Sequence, residues 1–159
     1  MPLMLDEDSG LSIVPLWIDG KGTSAGKQIL FPVHSAAQKK NVYLAQAADS
    51  QAASAAAESA NAAFQTWKKT PAATRRKIIL RAAEIIDQRQ KELIAIQIEE
   101  TSCTQTWAEF NIRYTLNALP EIASRITTAC TGELPPMAAE GTLGLVLQVP
   151  IGPVLLIAP

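Results

Sequence analysis

The sequence contains few of the residues from which metal sites and disulfide frameworks are built. Its 159 residues include one histidine, His34, and two cysteines, Cys103 and Cys130, which lie too far apart to form a CxxC pair. A structural zinc site needs about four histidine or cysteine ligands, and a disulfide framework needs several cysteine pairs. We therefore predict no metal site and no disulfide framework.

A strong charge of either sign is also lacking. The 14 basic and 15 acidic side chains nearly cancel, so no overall field attracts nucleic acid or an anionic membrane. The cluster Arg75-Arg76-Lys77 leaves a nucleic-acid contact open, but we favour a solvated helix face and predict no nucleic-acid partner. The N-terminus carries Asp6, Glu7 and Asp8 where a signal peptide is basic, so we expect a cytoplasmic protein.

Residues 141–159 have no charged side chain, and they approach the length of a membrane-spanning helix. Three glycines and three prolines in this stretch interrupt helical hydrogen bonding. We therefore favour two buried strands over a membrane helix and predict no membrane partner. The first strand is Thr142–Val149, where leucines and a valine alternate with other residues, and the second follows Pro150.

Local signals predict a short hairpin near the N-terminus. Leu16–Gly22 is typical of a strand that enters an Asp-Gly turn, and Gln28–Val33 is the candidate partner strand. His34 follows in a stretch that resembles a loop, where we expect it to face solvent or to cap an element.

Three helical stretches follow the hairpin. Asp49 or Ser50 caps an alanine-rich helix that runs to Trp67 and lies on the surface. Pro71 begins an amphipathic helical stretch. A further helix is predicted from Thr104 to Cys130, kinked or restarted at Pro120. Its aromatic side chains share one apolar face: Trp107, Phe110 and Tyr114.

Groups able to catalyse a reaction are scarce. Cys103 has no histidine nearby in the sequence, and Cys130 lies near a helix end, where the helix dipole disfavours a thiolate. The adjacent Glu99 and Glu100 would point about 100° apart on a helix, so we expect a solvated helix end rather than an acid–base pair. We predict no catalytic residue in this sequence.

Several short motifs occur in a characteristic order. They are Leu16-Trp17-Ile18-Asp19-Gly20, Ala62-Ala63-Phe64 with Trp67, Pro71 with Arg75, Glu99-Glu100-Thr101, Gly132-Glu133-Leu134-Pro135 and Pro150–Pro159. In order and spacing they resemble the N-terminal part of the NAD(P)-dependent aldehyde dehydrogenase superfamily. The segment Trp107–Asn111 and Gly152-Pro153 resemble the salicylaldehyde and vanillin dehydrogenase branch, which oxidises aromatic aldehydes. Ser102 stands where the family has glycine, and Gln148 where an arginine is usual.

The resemblance implies an α/β fold, the incomplete N-terminal part of the aldehyde dehydrogenase fold. It would comprise a short β-hairpin, several helices, an oligomerisation strand at Thr142–Val149 and the first strand of a Rossmann-like sheet. We expect residues 1–15 to be a flexible N-terminal segment and residues 16–159 to be a partial aldehyde dehydrogenase domain, cut before most of the cofactor-binding part and all of the catalytic part.

The resemblance also implies positions for site residues. Ile157, Ala158 and Pro159 would lie at the nicotinamide side of a bound NAD or NADP. Trp107 would line the aldehyde pocket, with simple core packing as the alternative. The family's catalytic cysteine, glutamate and asparagine match no position in this sequence, and the motif of the nucleophile does not match Cys103.

Two functional hypotheses follow, with a generic helical binding domain as a third. The first is a truncated aldehyde dehydrogenase from a homo-oligomeric family that oxidises aromatic aldehydes with NAD(P). We expect this chain to be inactive alone and not to bind the cofactor productively. The second is a non-catalytic module that pairs with full-length relatives. We also expect poor solubility, because Thr142–Pro159 would expose unpaired apolar edges.

Overall fold

The computed structural model of the chain describes residues 4–23 and 29–158. Within these ranges, strands lead into a helical middle. The strands are β1 (Met4–Leu5), β2 (Ser12–Val14), β3 (Leu16–Ile18), β4 (Lys21–Thr23), β5 (Leu30–Ser35) and β6 (Lys40–Gln46). The helices are α1 (Ser50–Trp67), α2 (Ala72–Gln88), α3 (Gln90–Thr101) and α4 (Gln105–Arg125), followed by a 3₁₀ turn at Thr128–Cys130. This element content is the mixed α/β class predicted from the sequence.

Four strands form one sheet in the order β1-β2-β6-β5. β2 runs parallel to β6, and the other two pairs are antiparallel. Residues 4–5 and 12–14 therefore belong to the sheet, although they fall in the segment 1–15 that we expected to be flexible. The expectation missed this pairing because Ile13, which is buried, joins the sheet through a strand only three residues long.

The predicted strand and Asp-Gly turn are present, but the predicted partner strand is wrong. β3 pairs with β4, which follows it directly, in a hairpin whose two-residue loop is Asp19-Gly20. Both loop residues have positive φ, 53° and 69°, as a two-residue hairpin turn of this kind requires. Residues 30–33 of the proposed partner belong to β5, which pairs with β6, and Gln28 lies outside the described residues. The two-residue turn places Lys21–Thr23 directly beside Leu16–Ile18, so these residues, rather than the later segment, pair with β3.

His34 lies in β5 rather than in a loop, and it is exposed as expected. Its Nδ1 is 3.1 Å from Oδ1 of Asn41 on β6. The β5–β6 pairing shifts register between Val33 and His34, and such an irregularity interrupts the alternation on which strand prediction depends.

The predicted cap of the alanine-rich helix is confirmed. The Asp49 carboxylate accepts a hydrogen bond of 2.7 Å from the backbone N–H of Ala52, which otherwise has no partner in the first turn. Most of α1 is exposed, and Ala52 is its buried residue. The prediction of a surface helix is therefore confirmed.

The remaining helices differ from the predictions at their ends. α2 begins directly after Pro71, as predicted, but the helical stretch divides at Arg89 into α2 and α3. α4 continues across Pro120 and ends at Arg125, so Cys130 belongs to the separate 3₁₀ turn. Sequence patterns locate helix ends poorly, because fraying and short 3₁₀ turns leave the apolar spacing almost unchanged.

The helices pack against one another through small side chains. Ala83 on α2 is buried, as are Ala108 and Ala123 on α4, both of which have no exposed surface. α2 lies against α4, and α3 lies against the same helix. Alanines allow close approach of the helix backbones, but each contributes little apolar area, so the helical core is thin.

The predicted strands beyond residue 141 do not form among the described residues. The segment makes one isolated bridge, in which Glu133 and Val146 exchange backbone hydrogen bonds of 3.0 and 2.9 Å. A Cβ at Gly132 would lie 2.5 Å from the Val146 carbonyl oxygen, so the bridge requires glycine there. Residues 147–158 have no regular secondary structure and no neighbouring strand within the described ranges. A strand needs a partner backbone, which the alternating pattern alone does not supply.

The surface of the chain is large for its mass. It is 12212 Å² for a mass of 17.0 kDa, whereas a compact monomer of that mass has about 7,700 Å². Much of the excess is apolar and lies beyond residue 142, where the exposed side chains include Leu143, Leu145, Leu147, Val149, Ile151, Leu155 and Leu156. In the part of the chain that is described, no helix is both long and apolar enough to cross a membrane.

Candidate functional site

The candidate site is centred on the first half of α4. Thr104 caps this helix, because its Oγ1 accepts a hydrogen bond of 3.3 Å from the backbone N–H of Trp107. The indole of Trp107 stacks on the ring of Phe110, with centroids 5.5 Å apart and planes inclined by 27°. Phe110 stacks in turn on Tyr114, at 6.1 Å and 29°. We call these three residues the aromatic ladder.

The aromatic ladder faces outward. Trp107 is 56 % exposed, and Phe110 and Tyr114 are exposed as well. In the described residues the adjacent Ala108, rather than Trp107, occupies the buried side of the helix, and core packing stays the alternative for Trp107. An exposed stack of three rings can bind a planar apolar group through face or edge contacts. The role of Trp107 in an aldehyde pocket stays a prediction.

A cleft of about 830 Å³ lies on another side of α4, between this helix, α3 and the turn that joins β5 to β6. Residues that line it include Gln38, Ile94, Ile98, Glu99, Gln105 and Glu109. Gln105 donates a hydrogen bond of 2.7 Å to Glu109 along its wall. Trp107 does not line this cleft, because two helical positions turn a side chain by about 200° from Gln105.

Glu99 is not the solvated helix end that the sequence predicts. It is half-buried, and its carboxylate accepts hydrogen bonds from Tyr43 Oη at 2.5 Å and from Gln38 Nε2 at 3.0 Å. The hydrogen bond from Tyr43 lowers the pKa of Glu99, with Gln38 adding to the effect, and it raises the pKa of Tyr43 to about 12. Only Glu100 is exposed as expected.

Ser102 occupies the position where the resemblance expects glycine. Its φ of 57° is left-handed, a conformation that glycine adopts most easily at a helix C-terminus. The serine hydroxyl accepts a hydrogen bond of 2.8 Å from the backbone N–H of Ala37, a contact that glycine cannot make. The sequence did not indicate the hydrogen bonds of Ser102, Tyr43 and Gln38, because their partners are more than fifty residues away in the chain.

The two cysteines lie in different environments. Cys130 accepts a hydrogen bond of 3.0 Å from Arg75 Nη2, and Cys103 donates its backbone N–H to Thr101 Oγ1. Within the described ranges neither thiol contacts an imidazole, since His34 is paired with Asn41. The same ranges contain no group of three histidine, cysteine or acidic side chains placed to hold a metal.

The cofactor role of Ile157, Ala158 and Pro159 stays a prediction. Ile157 is 82 % exposed, Ala158 is also exposed, and Pro159 lies outside the described residues. A dinucleotide site needs backbone N–H groups presented by a strand edge and a helix N-terminus. Among residues 147–158 there is neither, so this segment alone does not fit NAD or NADP. No ring contact or hydrogen bond joins it to Trp107 in the described ranges.

Comparison with known proteins gives relatives along most of the chain. It is 34 % identical over 146 residues to a vanillin dehydrogenase from Pseudomonas sp. (strain HR199 / DSM 7063), and this match covers 92 % of the chain and 30 % of the relative. It is also 34 % identical over 104 residues to a salicylaldehyde dehydrogenase from Pseudomonas putida, covering 65 % of the chain and 21 % of that relative.

The crystal structure of a salicylaldehyde dehydrogenase from Pseudomonas putida G7, complexed with salicylaldehyde, superposes with a TM-score of 0.82 at 26 % identity. The match covers 88 % of this chain and 29 % of that one, which confirms the predicted fold class. The chain thus spans less than a third of the length of these relatives. The model of the aldehyde dehydrogenase family matches residues 22–159, and the chain belongs to that family.

Proposed function

We propose that residues 1–159 form the N-terminal part of an enzyme that oxidises aromatic aldehydes to carboxylic acids. The observation that carries the proposal is the exposed position of Trp107, in a chain whose similar relatives are named for aromatic aldehydes. An indole presented to solvent at the capped start of a helix is held in place and available to a planar ligand.

In this proposal Trp107 lines the aldehyde pocket, Phe110 supports its ring from one side, and Tyr114 supports Phe110. The residues described here contribute to binding and orientation. NAD or NADP, the cofactor that the family implies, would accept the hydride. Because residues 147–158 do not form a dinucleotide site alone, we expect the isolated chain not to bind the cofactor productively.

A chimera tests this function directly. Residues 1–158 would replace the matching part of a salicylaldehyde dehydrogenase, and NAD(P)H formation would be measured with salicylaldehyde and with an aliphatic aldehyde. We expect the chimera to oxidise salicylaldehyde, and Trp107→Ala to raise KM for this substrate by about tenfold, as the loss of a buried aromatic contact implies. Glu109→Ala, on the cleft side of α4, is the matched control. Equal KM changes for both substrates would contradict the role of Trp107.

We also propose that 1–159 alone does not turn over. A thiol nucleophile needs a base to activate it, and neither Cys103 nor Cys130 contacts one within the described ranges. The assay is NAD(P)H formation by the purified chain with salicylaldehyde or vanillin. Turnover that Cys103→Ser or Cys130→Ser abolishes would overturn this statement. Turnover that persists in the double variant would instead identify a contaminating enzyme.

A second candidate function is a non-catalytic module that pairs with full-length relatives. The observation that favours it is the uncovered apolar surface beyond residue 142, together with the total surface of 12212 Å². Extended apolar backbone with unpaired N–H and C=O groups binds a neighbouring strand. Tagged 1–159 would be co-expressed with a full-length salicylaldehyde dehydrogenase and purified. Retention of the dehydrogenase by 1–159 but not by 1–141 supports this function. Equal retention by both would show that residues 142–159 are not the binding surface.

Assembly of the chain into homo-oligomers and a cytoplasmic location stay predictions. Size-exclusion chromatography with light scattering would measure the first, and fractionation of cells that express the chain would measure the second.

A further inference from the structure

Three hydrogen bonds join the β5–β6 hairpin to the corner between α3 and α4. The backbone N–H of Ala37 donates to Ser102 Oγ, Gln38 Nε2 donates to Glu99 Oε1, and Tyr43 Oη donates to Glu99 Oε2. We call these five residues the corner clamp. The pairs are 65, 61 and 56 residues apart in the chain, so the contacts are tertiary and do not arise from local helix capping.

The corner clamp lies immediately before the helix that carries Trp107. Ser102 ends α3 with a left-handed backbone, and Thr104, two residues later, caps α4 through the N–H of Trp107. The direction in which α4 leaves the corner therefore depends on the position of Ser102. A rotation at this point is transmitted to the first turn, where Trp107 lies.

The exposed face of the first half of α4 carries Trp107. Ala108 is buried and Ile112 is half-buried, whereas Trp107, Phe110 and Tyr114 are exposed. Packing against α2 and α3 fixes the distance of α4 from these helices. Hydrogen bonds to the preceding corner add a restraint on the direction of α4, since they fix both distance and angle.

We propose that the corner clamp orients Trp107. Tyr43, Glu99 and Ser102 are positioning residues, and they act on Trp107 through the start of α4. The pocket role of Trp107 rests on the proposed function, whereas the orientation of its ring does not. If Trp107 lines the aldehyde pocket, as proposed above, the sheet turn at residues 36–39 would thereby influence substrate selectivity.

The test is the fluorescence anisotropy of Trp107 in 1–159 carrying Trp17→Phe and Trp67→Phe, both at exposed positions. In this background, Tyr43→Phe removes the hydroxyl that binds Glu99, and Ser102→Ala removes the acceptor for Ala37. We expect each variant to lower the anisotropy measurably, because the ring gains motion on the nanosecond timescale. We expect Glu99→Gln to retain most of the anisotropy, because its amide oxygen can still accept a hydrogen bond from Tyr43.

Matched controls separate this effect from a general loss of structure. Glu100→Gln removes one negative charge, as Glu99→Gln does, but from an exposed side chain. Ser124→Ala removes a hydroxyl that donates a hydrogen bond within α4. Far-UV circular dichroism confirms that each variant is folded. If Ser102→Ala does not fold, Ser102→Gly replaces it, because glycine suits the left-handed backbone while lacking the hydroxyl.

A fall in anisotropy confined to the clamp variants supports the inference. Unchanged anisotropy in folded Tyr43→Phe and Ser102→Gly overturns it, and so does an equal fall in Glu100→Gln and Ser124→Ala. Because no aldehyde is present, these results are independent of the proposed function, which fails instead if the chimera does not oxidise salicylaldehyde.

Discussion

Residues 30–125 and residues 131–158 are both rich in apolar side chains. Those of the first region contribute to packed helices and strands, whereas most of those in the second are exposed. In the first region two paired strands and four helices organise the backbone, and side chains such as Glu99 and Ser102 join the helices to the strands. In the second region the described chain has one bridge, between Glu133 and Val146, and little other regular structure. Similar hydrophobicity therefore gives a packed layer in one region and an open surface in the other.

The difference shows that burial in this protein depends on where the backbone finds its partners. A helix satisfies its own N–H and C=O groups, so α2 and α4 can pack through their side chains without a partner strand. An extended segment has no internal partner and stays exposed until another strand lies beside it. Five predictions test this contrast, from the largest expected effect to the smallest.

The largest effect is expected from overfilling the close contact between the helices. Ala108 has no exposed surface, so Ala108→Leu forces α4 away from its neighbours and should lower the free energy of unfolding by about 2–3 kcal/mol. Urea unfolding followed by circular dichroism measures this. Ala57→Leu, at an exposed position on α1, is the control and should change stability by less than about 0.5 kcal/mol. Equal losses would mean that the interface is not closely packed.

A smaller effect is expected at the start of α1. Asp49→Ala removes the carboxylate that accepts from Ala52 N–H, and it should destabilise the folded chain by about 1 kcal/mol. Asp49→Asn keeps an oxygen at the cap and should retain most of the stability. Thermal unfolding of the two variants under the same conditions measures the difference. A loss as large for asparagine as for alanine would show that charge, rather than the hydrogen bond, is what matters.

The corner clamp should make stability depend on pH at the acidic end. Since folding lowers the pKa of Glu99 below its ordinary value of 4.5, the folded state takes up a proton less readily than the unfolded state. This contribution is present above pH 4.5 and is lost as the pH falls through the lower pKa of the folded state. The difference in unfolding free energy between wild type and Glu99→Gln should shrink over that range. A difference that stays constant would show that the carboxylate charge contributes nothing.

Tyr43 should give the corresponding effect at alkaline pH, because its pKa is raised to about 12. Its contribution is present below the ordinary value of 10.0 and is lost as the pH rises through about 12. Tyr43→Phe is the control variant, in which this alkaline dependence should disappear.

The smallest effect on stability is expected in residues 131–158. Leu145 is exposed, so Leu145→Lys should change the free energy of unfolding by less than about 0.5 kcal/mol. It should nevertheless reduce aggregation, because a lysine on an unpaired strand disfavours pairing between molecules. Light scattering during storage measures this, with Leu145→Val as the apolar control. Marked destabilisation by lysine would show that this segment is packed in solution.

Local chemistry allowed much of the fold to be predicted. The carboxylate of Asp49, the fixed φ of Pro71 and the Asp-Gly turn act on residues within one turn of themselves, so each marked its element correctly. The pairing of β5 with β6 was missed, because an alternating or apolar run indicates a strand but not which other strand it meets.

The candidate site was predicted only in part. Trp107 was identified through its resemblance to an aromatic-aldehyde branch, but periodicity suggested that its face could be core. In the described residues Ala108 lies on the buried side of α4 and Trp107 is exposed, so the choice between pocket and core stays a prediction. The sequence predicts a solvated Glu99, because no residue near it in the chain indicates its hydrogen bonds with Tyr43 and Gln38.

The sequence by itself determined where α1, α2, α4 and the first hairpin begin and to which family the order of motifs belongs. Caps, turns and proline act over a few residues, so their effects can be read along the chain. Only the tertiary structure decided that the β5–β6 hairpin is joined to the α3–α4 corner, and that apolar side chains in residues 142–158 are exposed in the described chain. Both outcomes depend on which backbone and side-chain groups meet across long sequence separations, and the pattern of one segment does not specify its partner.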